Sequence, residues 1–260
     1  MAQMRLDKLL AGRTSHSRSE VRQLLREGAV RVDGVCITDG SRKIDPETQT
    51  VSCGGKILPG GKYTYYILNK PKGVVSATED RQYTVLDLIP AEQRVKGLFP
   101  AGRLDADSTG LLLLTDDGAL AHRMLAPGKH VPKFYLIRLA RPFAEHYVAR
   151  LQEGSRLADG TVCLPAEVQH LRERYALICL HEGKYHQVKR MFAALGNHVE
   201  SLHRVGIGGY LLPPGLESGC YLSISHKDVE NLLSEGCLEV VCEQIMKNFS
   251  SYLLNADQEV

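Results

Sequence analysis

The side chains best suited to chemistry fall in three short stretches. In the first, Ala101-Gly102-Arg103-Leu104-Asp105-Ala106-Asp107-Ser108-Thr109-Gly110 runs into Leu111-Leu112-Leu113-Leu114. A carboxylate in a glycine-bounded loop, just ahead of a buried strand, is held rigidly at the edge of a sheet. Asp105 and Asp107 both fit that description, and both also fit plain turn chemistry, since Asp and Ser side chains bond nearby backbone N–H groups. Spacing alone leaves those two roles open. The second stretch is Glu182-Gly183-Lys184-Tyr185-His186-Gln187-Val188-Lys189-Arg190-Met191-Phe192. Its apolar residues predict a helix that leaves Lys189 and Arg190 on or beside the opposite face, near the N-terminus. A carboxylate kept ionised in a half-buried cleft needs such a cation, because burial raises its pKa and a neighbouring positive charge lowers it. The third is Lys133-Phe134-Tyr135-Leu136. A tyrosine there is either core or a cleft-facing ring that stacks on a base, a contact worth about 1–3 kcal/mol.

Other chemistries lack their residues. There is no G-x-x-x-x-G-K-[ST] phosphate loop, and Gly206-Ile207-Gly208-Gly209 follows no nucleotide-binding unit. No G-x-S-x-G elbow occurs, and no two histidines stand at i, i+4 with Glu between them. The seven cysteines form no Cys-x-x-Cys pair and are mostly flanked by apolar residues, which predicts buried free thiols in a reducing compartment.

The elements that must carry these stretches can be read from periodicity. Tyr65 to Leu68, Leu111 to Leu114, Phe134 to Leu139 and Tyr175 to Leu180 read as strands. Val188, Met191, Phe192 and Leu195 have the i, i+3, i+4, i+7 spacing of a helix laid on a sheet. Nearer the N-terminus, Leu6, Leu9 and Leu10 predict one helix, with Arg5 and Lys8 on one side of it. Ser17-Arg18-Ser19-Glu20 predicts a capping box opening a second, which Gly28 stops. Val30-Arg31-Val32, Asp33-Gly34 and Val35-Cys36-Ile37 predict a hairpin. Arg18, Arg22 and Arg26 recur every four residues as a guanidinium stripe that Arg31 and Lys43 can extend. Gly54-Gly55-Lys56 and Pro59-Gly60-Gly61-Lys62 read as a flexible linker.

Length and charge agree with two unequal domains. At roughly 150 residues per domain, 260 residues exceed one. Residues 1–62 carry 11 Lys/Arg against 7 Asp/Glu, residues 63–230 carry 20 against 18, and residues 231–260 carry 1 against 5. A basic head on a nearly neutral body predicts an anionic partner for the head. No apolar run approaches the roughly 18 residues of a membrane span, and the N-terminus lacks an apolar signal core. A cytoplasmic protein is therefore expected, with no membrane partner.

Two resemblances follow from these residues. Met4-Arg5-Leu6-Asp7-Lys8-Leu9-Leu10, the Ser17–Leu25 helix, Gly28 and the Val30–Gly34 hairpin resemble the S4 RNA-binding module. Behind it, Asn69-Lys70-Pro71-x-Gly73, Gly102-Arg103-Leu104-Asp105, Leu114-Thr115-Asp116-Asp117-Gly118, Lys133-x-Tyr135 and the Glu182–Phe192 stretch resemble the ribosomal RNA pseudouridine synthases. Tyr185 to Ala194, Gly196-Asn197-His198-Val199 and Leu202-His203-Arg204 are similar to the small-subunit (16S) branch, and Lys189 stands where large-subunit relatives carry arginine.

The resemblance implies an α+β fold: an S4-type helix–helix–hairpin domain over residues 1–60, then a catalytic domain with a mixed, largely antiparallel sheet over 61–230. Residues 231–260 form an acidic C-terminal extension past the family's usual end. It implies that Asp105 is the catalytic carboxylate, either attacking C1′ or removing the C2′ proton, with Lys189 as the paired basic residue that favours its ionised form. Tyr135 is the ring that stacks on uracil, and Arg103 holds the flipped nucleotide or its phosphate. Arg5, Lys8, Arg18, Arg22 and Arg26 are the expected RNA contacts. Isomerisation involves no net redox change, so no cofactor and no metal is expected. The implied partner is 16S rRNA, within a small-subunit assembly intermediate, with uridine 516 as target and the enzyme a monomer. The alternatives are a 23S rRNA target, or a noncatalytic S4-type RNA-binding assembly protein.

Overall fold

A computed structural model describes residues 3–14, 16–58, 60–126 and 131–256. The N-terminal unit comprises β1 (Met4–Arg5), α1 (Leu6–Arg13), α2 (Arg18–Arg26), β2 (Val30–Val32), β3 (Val35–Cys36), β4 (Lys43–Ile44), β5 (Val51–Cys53) and β6 (Lys56–Ile57). Ser17 Oγ accepts from the Glu20 N–H while the Glu20 carboxylate accepts from the Ser17 N–H, so the predicted capping box opens α2. Its stop at Gly28 uses a left-handed φ of 71°. Asp33 and Gly34 both take positive φ and close the β2–β3 hairpin, as a two-residue turn between right-twisted strands requires. Leu6, Leu10, Val21, Leu25, Val30, Ile44 and Val51 fill a small core of the unit's own.

Two expectations for this region are corrected. Arg5 lies in β1, ahead of the helix rather than on it, and its guanidinium grips the Asp7 carboxylate at 2.6 and 3.0 Å. Gly54-Gly55 is the turn of the β5–β6 hairpin rather than linker, because β6 pairs back onto β5. Pro59, part of the expected linker, lies outside the described residues. What joins the units is also more than a tether. Arg13, at the end of α1, is buried, donates to Thr64 Oγ1 and to the Gly61 carbonyl (3.0 Å), and lies 3.6 Å from Asp116. The Lys96 N–H reaches the Gly12 carbonyl at 3.3 Å.

The second unit is built on one large sheet. Its strands are β7 (Tyr65–Lys70), β8 (Phe99–Ala101), β9 (Thr109–Thr115), β10 (Lys133–Leu139), β13 (Glu167–Arg172), β14 (Tyr175–Leu180), β15 (Val199–Ile207), β16 (Tyr210–Leu211) and β17 (Tyr221–Ser223). Between β10 and β13 lie α4 (His146–Gln152) and a small separate hairpin of β11 (Ser155–Arg156) and β12 (Val162–Cys163). Strand order is β13-β14-β10-β15-β9-β7-β17, with β8 on β9 and β16 on β15. All of these pairs are antiparallel except β15 with β9. β9 is thus central, which explains its run of buried leucines: both of its faces are covered.

The helices α3 (Gly118–Leu125), α5 (Gln187–Ala194), α6 (His226–Leu233), α7 (Leu238–Lys247) and α8 (Phe249–Ala256) cover the two faces. On β10 and β14 the alternation is explicit. Phe134, Leu136, Leu177 and Cys179 enter one core with α3 and the C-terminal helices, while Tyr135, Ile137, Ile178 and Leu180 enter another with α4 and α5. The acidic C-terminal segment packs on the body: Ile245, Phe249 and Tyr252 are buried, and the Tyr252 hydroxyl donates to the Leu212 carbonyl at 2.6 Å. Residue 231 falls inside α6, so no break in structure marks its start. The thiol expectation holds only in part, since Cys163, Cys179 and Cys242 are buried while Cys36, Cys220 and Cys237 are exposed. Among the described residues no helix is long and apolar enough to cross a membrane.

Candidate active site

The loop between β8 and β9 carries Asp105, and its backbone is fastened on both sides of that residue. Ser76 Oγ accepts from the Leu104 N–H and donates to the Leu104 carbonyl. The Ala106 carbonyl accepts from the Gly73 N–H at 2.7 Å, and the Ser108 N–H donates to the Asp105 carbonyl at 3.0 Å. Beneath the loop, Lys70 is fully buried, and its Nζ donates to the carbonyls of Pro71 (2.9 Å), Ala106 (3.3 Å) and Ser108 (2.8 Å). Burial pushes this ammonium down to about 8, against the pull of Asp107 and Asp105. On the β9 side Gly110 has φ +102°, and a Cβ there would collide with the Arg204 carbonyl oxygen of β15. Only glycine lets the two parallel strands meet at this point. Arg204 in turn donates from Nε to the Leu111 carbonyl at 2.7 Å.

The opposite wall is the Glu182–Lys189 segment, which locks itself. Gln187 is buried; its amide oxygen accepts from the Lys184 N–H and its amide nitrogen donates to Glu182 Oε1. Glu182 also accepts from the Leu164 N–H and lies 2.9 Å from Lys184 Nζ. His186, at the N-terminus of α5, adopts φ 49°, a left-handed conformation costly for a residue with a Cβ. That backbone turn brings His186 Nε2 within 3.5 Å of Asp105 Oδ1. Lys189, in the first turn of α5, lies 4.0 Å from Asp105 Oδ2 but only 2.5 and 2.6 Å from the two oxygens of Asp107. Partial burial works against the Asp107 carboxylate, and the hydrogen bonds and charge of Lys189 outweigh it, so its pKa falls below the ordinary value.

The structure therefore gathers two carboxylates, an imidazole and an ammonium where the β8–β9 loop faces α5. The Asp105 side chain is about one-third exposed, open enough to meet a substrate. Tyr135 is buried in the core that also holds Leu104, the residue before Asp105. Arg103 is exposed on the same loop. In the N-terminal unit Lys8, Arg18, Arg22 and Arg26 are exposed, and Arg5, Arg22 and Arg26 line a surface depression shared with Asp7, Ser19 and Ser41.

Sequence reasoning assigned no site role to Lys70, Ser76, His186 or Asp107's bond to Lys189. The signal that could have marked Lys70 is its place in the Asn69-Lys70-Pro71-x-Gly73 motif, at the end of β7. Among the described residues, the metal-type donors that cluster are Glu167, Cys179 and His181. They lie off the Asp105 site, with Cys179 on the other face of the sheet from Tyr135, and burial pushes the Cys179 thiol up to about 12, away from the thiolate a metal needs.

This geometry coincides with a family match. Residues 64–194 match the RNA pseudouridylate synthase family, and residues 4–49 match the S4 domain. An uncharacterized RNA pseudouridine synthase of Bacillus subtilis, YtzG, is 42% identical over 237 residues, covering 89% of this chain and 99% of that protein. The ribosomal small subunit pseudouridine synthase A of Vibrio cholerae is 41% identical over 88% of this chain and 99% of its own length, and that of Escherichia coli K12 is 36% identical over 88% and 100%. A solved structure described as a pseudouridylate synthase shares 38% identity and a TM-score of 0.62, covering 88% of this chain and 99% of that one. The chain belongs to the RNA pseudouridylate synthase family and carries an S4 domain ahead of its synthase domain.

Proposed function

We propose that this enzyme isomerises one uridine of 16S rRNA, uridine 516, within a small-subunit assembly intermediate, acting as a monomer. The target class follows the small-subunit names of the Vibrio and Escherichia relatives and the Lys189 signature. Residues 1–60 hold structured RNA through Lys8, Arg18, Arg22 and Arg26, with Arg5 joining once it releases Asp7. Residues 61–230 do the chemistry, and the C-terminal extension from 231 supports their core.

Asp105 is the catalytic carboxylate, and the observation that carries this role is its clamped loop facing both His186 and Lys189. The target base must leave the helical stack to reach it, at a cost of a few kcal/mol. Asp105 acts at the sugar in its ionised form, as nucleophile at C1′ or as base at C2′. In the first route its oxygen bonds to C1′ as the N1–C1′ pair departs with the uracil. The base turns, C5 attacks C1′, and the carboxylate leaves again. In the second, loss of the C2′ proton expels uracil to give a glycal, which C5 attacks before that proton returns. Both routes end with N1 gaining a proton and C5 losing one, with no net oxidation.

Tyr135 stacks on the uracil during its turn and helps the C5 proton leave. Arg103 holds the nucleotide's phosphate. Lys189 divides its charge between Asp107, which it grips, and Asp105 at 4.0 Å. Carbodiimide mapping of rRNA from a strain lacking this protein tests the target. Loss of the signal at uridine 516 is expected; loss of a 23S signal with 16S intact refutes the assignment.

A further inference from the structure

Tyr185 is the most exposed large hydrophobic side chain among the described residues, at 75%. A lone exposed ring ordinarily means nothing, but this one is set in place from several sides. Its ring lies flat on that of His186, with centroids 3.9 Å apart and planes 15° from parallel. Its carbonyl accepts from Arg190 Nη1 at 3.2 Å, and Arg190 is tied by its other guanidinium nitrogen to Asp159 at 2.5 Å. The following residue carries the left-handed backbone that presents the pair, and the buried Gln187 locks the loop below. On the far side, His186 reaches Asp105 at 3.5 Å. An aromatic face is thus held open to solvent one ring away from the acid. The core explains none of this, and the strain at His186 is of the kind retained at functional positions.

We infer that Tyr185, backed by His186, is a stacking platform for a nucleobase next to the extruded uridine. This rests on the reading of Asp105 as the acid that meets the flipped nucleotide. Flipping one nucleotide strips its neighbours of a stacking partner, and an aromatic side chain replaces such a partner without reading sequence. Lys184, Lys189 and Arg190 surround the platform, each held by an acid (Glu182, Asp107 and Asp159), so the ring and not free charge carries the contact. Because His186 touches both the platform and Asp105, the stacked base also fixes the side of the catalytic cleft. Tyr185 is accordingly a positioning residue for the neighbouring base, distinct from Tyr135, which serves the uracil itself from the buried side.

The test uses the full-length chain and a 16S fragment spanning uridine 516, with 2-aminopurine placed on its 5′ or its 3′ side. Stacking quenches the fluorescence of that base. Wild type and Tyr185→Phe are expected to quench it at one of the two positions, and Tyr185→Ala to lose the quench. Tyr185→Ala should bind the fragment roughly ten-fold more weakly and raise KM more than it lowers kcat, with Tyr185→Phe near wild type in both. Equal quenching and affinity in Tyr185→Ala and wild type overturns the platform. So does a Tyr185→Phe variant as impaired as Tyr185→Ala, since the hydroxyl and not the ring would then be responsible. Tritium release from a C5-labelled copy of the fragment is measured alongside with wild type. If wild type binds and quenches but releases no tritium, it is the isomerase reading that fails, whereas the stacking signal is read on binding alone.

Discussion

Replacing Lys70 with methionine separates the stability of the fold from the positioning of the acid. Methionine keeps the length and the apolar stem of the side chain and removes only the ammonium. The carbonyls of Pro71 and Ser108 lose their donor, while that of Ala106 keeps the Gly73 N–H. Each unpaired buried acceptor costs about 1–3 kcal/mol, so the loss is about 2–6 kcal/mol for two. Against this stands the cost of holding a charge out of water. With the ammonium pushed from 10.5 to about 8, that cost is about 3 kcal/mol at 1.36 kcal/mol per pH unit. The two nearly cancel, and a net destabilisation of about 1 kcal/mol remains. The loop bearing Asp105 fares worse, since two of the three carbonyls that Lys70 holds, at 106 and 108, belong to it. A shift of about 1 Å in a reacting group costs on the order of 10²-fold in rate. Lys70→Met is therefore expected to unfold in urea as a cooperative, modestly weakened protein and to lose about 10²-fold in single-turnover tritium release. Wild-type turnover in the folded variant would refute the idea that this lysine positions the acid. A loss of stability beyond about 5 kcal/mol would refute the cancellation.

Three further outcomes concern the core, the strand contact at Gly110 and the N-terminal arginines. His203 is fully buried against Thr109 Oγ1, and burial lowers its pKa from 6.5 to about 4; the unfolded chain therefore takes up the proton first, and stability falls as pH drops through 6.5 toward 4. Between pH 7 and pH 5 this amounts to about 2 kcal/mol, so the unfolding free energy from urea titrations should fall by that much less in His203→Gln than in wild type, and an identical drop in both would count against it. Gly110→Ala places a Cβ against the backbone of Arg204 at positive φ, and its thermal unfolding should show a loss of about 3 kcal/mol or more, with wild-type stability the contrary result. Neutralising Arg18 and Arg22 to Gln should weaken RNA binding and make its log–log salt slope shallower by about 1–2; an unchanged slope would remove the stripe from the RNA interface.

The parts of the fold legible in the sequence were those decided by neighbours in the chain. Ser17 and Glu20 cap α2 through bonds three residues apart, and Asp33-Gly34 sets its own turn. The leucine run of β9 announces burial without needing to know what buries it. The parts that were not legible depend on what folding brings in from a distance. Gly54-Gly55 looks like linker until β6 is seen to pair with β5, and the same two glycines are then simply the residues a tight turn needs. Arg13 looks like one more surface cation of α1 until Thr64 and Asp116 close over it.

The candidate site divides in the same way. Asp105 and Lys189 could be nominated from residue type and from the resemblance, because loop and helix each declare themselves locally. Which acid Lys189 holds most tightly could not, since that turns on distances across 82 residues of chain: 2.5 Å to Asp107 and 4.0 Å to Asp105. The service of Lys70 beneath the loop was hidden for the same reason, its three acceptors being supplied by a turn and a distant loop.

The most direct measurement compares Asp105→Asn with Asp107→Asn in the release of tritium from a C5-labelled 16S transcript, with RNA affinity measured in parallel. Asp105→Asn is expected to abolish release while binding RNA nearly as well as wild type. Asp107→Asn should retain measurable release, because it removes a partner of Lys189 and not the reacting carboxylate. Turnover by Asp105→Asn, or abolition by Asp107→Asn alone, would contradict the account.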